Sequence, residues 1–181
     1  MTFNLIPDCW TTKNLTIQDL KESEIENVQD LYEQGNYIHE WDGLPLDKIY
    51  VSRCFYEGDL PPSGQKEKFK IQVIRFKENE NIVGMLNCIH GHPIPDAFYI
   101  CYFYINSDFQ TKGMGKEVIQ ELLELVQRNG FSEIRANVAL KNWPAIRFWM
   151  KMGMTNVNGI YGDKVHGPDN FADIELSRTL K

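Results

Sequence analysis

Gln110-Thr111-Lys112-Gly113-Met114-Gly115-Lys116 is the stretch whose residue types and spacing point most directly to chemistry. It follows an apolar run ending Phe103-Tyr104-Ile105 and opens a long amphipathic run. Amides at a helix start have no intrahelical acceptor, and the helix dipole places partial positive charge there. Gly113 and Gly115 carry no side chain, so a pyrophosphate could approach the backbone closely. Lys112 and Lys116 add positive charge at the same spot. A plain strand-to-helix turn punctuated by glycine explains the two glycines equally well, so their spacing has to be compared with known phosphate loops.

A P-loop separates its glycines by four residues and follows them with Lys and Ser/Thr; here the glycines are one residue apart and Lys116 precedes Glu117. A dinucleotide fingerprint needs a third glycine, where this chain has Val118, and it opens an early βαβ unit, whereas this stretch lies past the middle of the chain. The remaining pattern is Gln/Arg-x-x-Gly-x-Gly/Ala after an apolar strand. Residues 110–115 match it at every specified position.

The elements that must position this loop are legible from periodicity. Residues 97–105 form a strongly apolar strand rich in aromatics. From Met114 to about Asn129 a helix carries Met114, Val118, Ile119, Leu122, Leu123 and Val126 on one stripe, with Gln120, Glu121, Glu124 and Arg128 opposite. Earlier, 14–19 alternates as a half-buried strand does. Ser23 and Glu26 have capping-box spacing before a helix with Ile25, Val28, Leu31 and Tyr32 on one face, and Gly35 ends it. A second short helix is weakly indicated within 44–56. Residues 57–65 form a Pro- and Gly-rich loop. The segments 69–76 and 82–89, joined by a turn at 79–81, read as a hairpin. Residues 132–140 form a strand, Pro144 opens a short helix through Met152, and 155–161 and 172–180 are further strands. Strands and helices mix without strict alternation, so the expected class is α+β or α/β with a mixed sheet.

Composition bounds the function. With 181 residues, 43% of them hydrophobic and 12% aromatic, the chain suits one domain with a sizeable core. A net charge of −6 disfavours nucleic acid, which needs a basic face, and suits a cationic small substrate, though ordinary solubility charge explains it too. No apolar run is long enough to cross a bilayer and residues 1–8 lack signal-peptide character, so no membrane partner and a cytoplasmic location are expected. Cys9, Cys54, Cys88 and Cys101 form no C-x-x-C pair and read as reduced, mostly buried thiols. His90 and His92 stand in a 90–96 turn with no third ligand beside them, so an exposed loop is preferred to a metal site. The 36–43 stretch packs Tyr37, His39, Glu40, Trp41 and Asp42 together, as a pocket lining or as a loop anchored by Trp41.

The 110–115 loop does not stand alone. Asn142-Trp143-Pro144-Ala145-Ile146-Arg147-Phe148-Trp149-Met150-Lys151-Met152-Gly153-Met154 follows the next strand. It stands in register with Asn-x-x-Ala-x-x-Phe/Leu-Tyr-x-Lys-x-Gly-Phe. Loop and second motif, in that order and at that separation, resemble the GNAT superfamily of N-acetyltransferases. Element order fits from about residue 14 to 180, least well over 36–68. The resemblance implies a single domain over 1–181, α+β (α/β), with a GNAT-like twisted mixed β-sheet flanked by helices on both faces. It implies acetyl-coenzyme A as cosubstrate and an acetyl group moved to a primary amine of a small molecule or protein. Phe103, Tyr104 and Ile105 would offer backbone to the pantetheine arm. The amides of Gln110, Thr111, Lys112, Gly113, Met114 and Gly115 would hold the pyrophosphate beside Lys116. Asn142 would touch the cofactor arm, and Trp149 would pack near it. Family members commonly dimerise, which leaves a homodimer open.

The catalytic half is not assigned. The family often supplies a Tyr in the second motif to protonate the departing thiolate. Here that position is Trp149, whose indole is no acid at neutral pH. Another group protonates the thiolate, or it leaves unprotonated, or the protein binds acetyl-coenzyme A with little or no transferase activity. By alternation Tyr99, Cys101, Phe103 and Ile105 would share a face, without a carboxylate or imidazole among them. Tyr99 is expected to pack, with donation or a relay through water as the alternative. His39, Glu40, Asp42, His90 and His92 remain as candidates for the base.

Overall fold

The computed structural model describes residues 5–62 and 64–180. Residues 1–4, part of the stretch examined for signal-peptide character, lie outside the described residues, as does position 63 within the 57–65 loop. In chain order the strands are β1 (Cys9–Thr11), β2 (Leu15–Asp19), β3 (Phe69–Phe76), β4 (Ile82–His90), β5 (Ala97–Ile105), β6 (Glu133–Ala139), β7 (Asn156–Gly162) and β8 (Ala172–Thr179). The helices are α1 (Ile25–Gln34), α2 (His39–Asp42), α3 (Tyr50–Tyr56), α4 (Met114–Arg128) and α5 (Trp143–Lys151). One sheet runs β1-β2-β3-β4-β5-β6-β8-β7. Among the described residues only β5 and β6 pair in parallel; the remaining neighbours are antiparallel. The expected mixed sheet with helices on both faces is what forms.

Two apolar clusters lie on the two faces. On one, Val118, Ile119 and Leu122 of α4 and Ile146 and Trp149 of α5 pack against Leu86, Phe98, Ile100 and Ile134. On the other, Val28, Leu31 and Tyr32 of α1 and Tyr50, Val51 and Cys54 of α3 pack against Ile71, Val73, Met85 and Tyr104. Each fully buried large aliphatic contributes roughly 1.5–3 kcal/mol, so the apolar stripe of α4 is what anchors that helix, and its start, on the sheet.

Three local readings change. The first turn before α1 is a short 3-10 segment, and Glu24 rather than the Ser23–Glu26 pair closes it, accepting from the Lys21 N–H at 3.1 Å. Gly35 ends α1 at φ −79, so its lack of a side chain serves packing. An added Cβ would stand 3.3 Å from the Tyr102 hydroxyl and from the Tyr104 ring. His90 ends β4 and is 3% exposed, contrary to the exposed loop expected of it. Its Nε2 accepts from the Ile6 N–H at 3.1 Å, and its Nδ1–H donates to the Lys68 carbonyl at 2.7 Å. Burial lowers its pKa to about 4, so it stays neutral and structural. The thiols are all unpaired as expected, although Cys9 is exposed.

Candidate active site

The site is built where β5 leaves its neighbour. Among the described residues β5 pairs with β6 only over Ala97–Ile100 against Glu133–Ala136, while β6 continues along β8 to Ala139. The edge of β5 from Cys101 to Ile105 is therefore open on the β6 side. A register shift against β4 falls at the same place: Asn87 pairs with Tyr102 and Cys88 with Ile100, leaving Cys101 unpaired as a bulge. The extra residue resets the alternation. Phe103 and Ile105 join the α4 face, while Tyr99, Cys101, Tyr102 and Tyr104 join the α1 face. The expected grouping of Tyr99 and Cys101 with Phe103 and Ile105 is thus overturned, because strict period 2 does not survive a bulge.

Beyond the open edge the chain makes a short 3-10 turn at Ser107–Phe109, and the Asn106 side chain accepts from the Asp108 N–H at 2.8 Å. Thr111 has φ +61 and Gly113 φ +88. These two left-handed residues turn the backbone into α4, whose first ladder bond is Glu117 N–H to Gly113 carbonyl. The amides of Met114, Gly115 and Lys116 therefore have no acceptor within the helix. An added Cβ on Gly113 would meet nothing within 4 Å. Thr111, Lys112, Gly113 and Lys116 are exposed. Beside them lies a cavity of about 390 Å³ lined by Thr12, Lys13, Gly113, Lys116 and Glu117, among others. Glu117 is tied down by the Asn14 N–H at 2.7 Å and by the Asn14 amide at 2.9 Å, which seats the β1–β2 turn against the helix start.

The second motif meets the first here. An added Cβ on Gly115 would stand 3.4 Å from the Phe148 ring and 3.6 Å from Phe103, so α5, β5 and the start of α4 converge on one point. Phe103, Phe148 and Trp149 form an aromatic cluster with centroids 5.0–6.0 Å apart. Trp149 is 6% exposed, a core residue that also walls the split strand. Asn142 caps α5, its Oδ1 accepting from the Ala145 N–H at 3.1 Å, so its amide NH2 is the group left for a ligand. The Asn106 N–H donates to the Val83 carbonyl of the adjoining strand, so by alternation Tyr104 also turns its backbone to β4, while Phe103 and Ile105 face the open edge. The Ile105 carbonyl already accepts from Gln110 Nε2 at 2.8 Å, which leaves Phe103 as the less committed backbone.

The opposite face carries a different chemistry, most of it not singled out from the sequence. Tyr32 stacks on Tyr50 at 4.4 Å and lies 5.5 Å from Tyr102 on the bulge. The Tyr32 hydroxyl is 3.4 Å from His39 Nε2, and His39 Nδ1 is 3.3 Å from Asp42 Oδ1. Burial, with the Asp47 carboxylate adding to it, raises the Tyr32 pKa to about 12, and burial holds Tyr102 and Tyr99 well above their ordinary value. These phenols stay protonated at neutral pH and cannot act as bases. Asp173 enters from β8, its pKa raised by burial and further by Asp42, against a hydrogen bond from Asn137. Among the described residues neither Asp42 nor Asp173 has a Lys or Arg ion-pair partner. Of the other base candidates, His92 lies edge-on to Tyr99 at 5.2 Å, and Glu40 is exposed.

Comparison with known proteins agrees with this geometry. The model of the acetyltransferase (GNAT) family matches residues 36–154, a span that includes both motifs. The chain belongs to the GNAT family of acetyltransferases. It is an acyltransferase by family, and the 36–68 stretch that looked least typical lies inside the matched span. No curated protein sequence matches this acetyltransferase. Its fold is that of a probable GNAT-family acetyltransferase from Chromobacterium violaceum, with a TM-score of 0.79 at 11% identity, covering 99% of this chain and 90% of that one. It is also similar to the ribosomal-protein-S18-alanine N-acetyltransferase of Escherichia coli (TM-score 0.66, 14% identity, 92% and 94% covered). A third similar structure is the spermidine N-acetyltransferase of Vibrio cholerae in complex with CoA and spermine (TM-score 0.65, 14% identity, 92% and 95% covered). At these identities the structural likeness establishes the fold. Among the described residues of this acetyltransferase, no helix is long and apolar enough to cross a membrane.

Proposed function

We propose that the protein is a single-domain N-acetyltransferase that moves an acetyl group from acetyl-coenzyme A to a primary amine of a small molecule or a protein. The observation that carries this is the open edge of β5 running directly into the unpartnered amides of α4. A pantetheine arm has amides in a row and can pair with an open strand edge, here through Phe103, Tyr104 and Ile105. A pyrophosphate dianion suits the amides of 110–115 at a helix start, with Lys112 and Lys116 beside it. Asn142 and Trp149 would bound the arm from α5.

The amine must be neutral to attack, so a base has to take its proton. The α1 face would admit the amine, since the tyrosines there meet the bulge of β5. His39 is the base this arrangement favours: Asp42 accepts from Nδ1–H, which leaves Nε2 as the proton acceptor. Tyr32 and Tyr102 would lie between His39 and the bulge as hydroxyl donors, with water completing the path. Backbone N–H groups at the bulge would polarise the thioester carbonyl. No acid stands at Trp149, and a thiol with a pKa of about 8–9 can depart as thiolate. Asp42 and Asp173, without a Lys or Arg partner among the described residues, favour a cationic acceptor, as does the acidic net charge. A cytoplasmic location and a homodimer fit a GNAT domain of this kind.

A second function, an acetyl-coenzyme A-binding protein with little transferase activity, is favoured by one observation, the indole of Trp149 at the position of the family's acid. Calorimetry with acetyl-coenzyme A, free coenzyme A, ATP and NAD tests the donor site. Binding of the coenzyme A forms alone is expected, and no binding of either would refute the proposal. Release of free thiol across a panel of amines then separates transferase from binder.

A further inference from the structure

The loop that opens onto α4 is fastened to the acceptor side by side chains. Asn106 Nδ2–H donates to Gln34 Oε1 at 2.6 Å, and Gln110 Nε2–H donates to the Tyr37 hydroxyl at 2.9 Å. These bonds join positions 72 and 73 residues apart in sequence. Gln110 Nε2 also donates to the Ile105 carbonyl, so both of its hydrogens are committed and the amide bridges the end of β5 to Tyr37. The Tyr37 ring lies edge-on to Trp41 at 5.6 Å. The 36–42 segment is helical and has no partner in the sheet ladder, so side chains are its means of attachment to the sheet. The same short segment holds His39 and Asp42.

On its other side, Gln110 opens the strained turn through Thr111 and Gly113 that presents the α4 amides. Whatever orders that turn also orders the Gln110 side chain, and through it Tyr37. Resting on the acetyl-transfer function proposed above, we infer that Tyr37 is a positioning residue. Its hydroxyl, held by Gln110, carries occupancy of the donor seat across to the acceptor segment. Filling the helix start then stiffens 36–42, and His39 and Asp42 are set before the amine arrives. A static staple between two loops would show the same bond but would not respond to ligand.

Hydrogen exchange with free coenzyme A as the probe distinguishes the two. In the wild-type protein, coenzyme A is expected to slow amide exchange at 106–117 and also at 38–43. In Tyr37→Phe, which keeps the ring on Trp41 and removes only the hydroxyl, protection at 106–117 should persist while that at 38–43 falls. Coenzyme A affinity of this variant should stay within about twofold, and the apparent KM for the amine should rise about two- to tenfold, the range of one neutral hydrogen bond. Protection confined to 106–117 in the wild type overturns the coupling and leaves the donor site intact. So does full protection of 38–43 in Tyr37→Phe. Failure to protect 106–117 at all overturns the donor site itself, and the coupling with it.

Discussion

Gly113→Ala separates the strained turn of the loop from the anion seat proposed for it. Gly113 has φ +88, where an L side chain costs about 1–2 kcal/mol. No atom lies within 4 Å of an added Cβ, so no steric clash adds to that figure. Alanine returns roughly 0.5–1 kcal/mol through the lower entropy of its unfolded chain, which leaves a net loss of about 1 kcal/mol. For a chain of 181 residues this corresponds to a fall in Tm of about 2–4 °C without ligand. The open space around that Cβ borders the cavity beside Lys116, so the new methyl would stand where the pyrophosphate is proposed to sit. At a coenzyme A concentration of about 100 Kd the wild type gains about 2.7 kcal/mol; a tenfold weaker site gains only about 1.4 kcal/mol at the same concentration. Thermal unfolding with and without coenzyme A measures both quantities. A ligand-induced rise in Tm equal to that of the wild type would show that the pyrophosphate does not rest on this helix start. An unchanged Tm without ligand would show that the native turn does not carry the strain its dihedral implies.

Replacing His39 with Gln keeps a polar side chain beside Asp42 but removes the proposed base; kcat should fall about 10²–10⁴-fold with little change in coenzyme A affinity, and the deficit should shrink at high pH, where the amine is already neutral. Unchanged kcat at neutral pH would remove His39 from the chemistry. Trp149→Phe should retain thiol release within a few-fold, whereas Trp149→Ala should cost about 3–5 kcal/mol in denaturant unfolding, because the residue fills the core between Phe103 and Phe148. A well-folded Trp149→Phe protein without activity would contradict a packing role. The pKa of His90 falls from 6.5 in the unfolded chain to about 4 in the folded protein, so the folded state binds fewer protons. Its contribution is whole above pH 6.5 and is lost as pH falls towards 4, up to about 3 kcal/mol. Unfolding free energies at pH 7 and 4.5 should show a steeper acid loss in the wild type than in His90→Gln; equal slopes would mean that His90 does not stay neutral.

Much of the proposed donor half could be read along the chain. The apolar stripe of α4, the aromatic run of β5 and the spacing of Gln110, Gly113 and Gly115 are local patterns, and local patterns are what period 2, period 3.6 and turn chemistry report. The hairpin of β3 and β4 and the start of α5 at Pro144 were legible for the same reason. The acceptor half was not. The bulge at Cys101 depends on how β5 pairs with β4, and nothing in the run of nine apolar and aromatic residues marks which one is extra. The composition around His90 suggested a solvated turn, but an N–H from Ile6, 84 residues away, helps to bury and satisfy it. The grouping of Tyr32, His39 and Asp42 needs the backbone to coil between α1 and α2, and its place near Tyr102 needs Gly35 to bring α1 against β5. The sequence by itself determined most of the elements, the loop proposed to hold the donor, and the family, because each is written in residues close together along the chain. Only the tertiary structure decided which side chains lie on the α1 face of β5 and how Tyr37 meets Gln110, because strand register and contacts between distant segments arise from packing the whole chain at once.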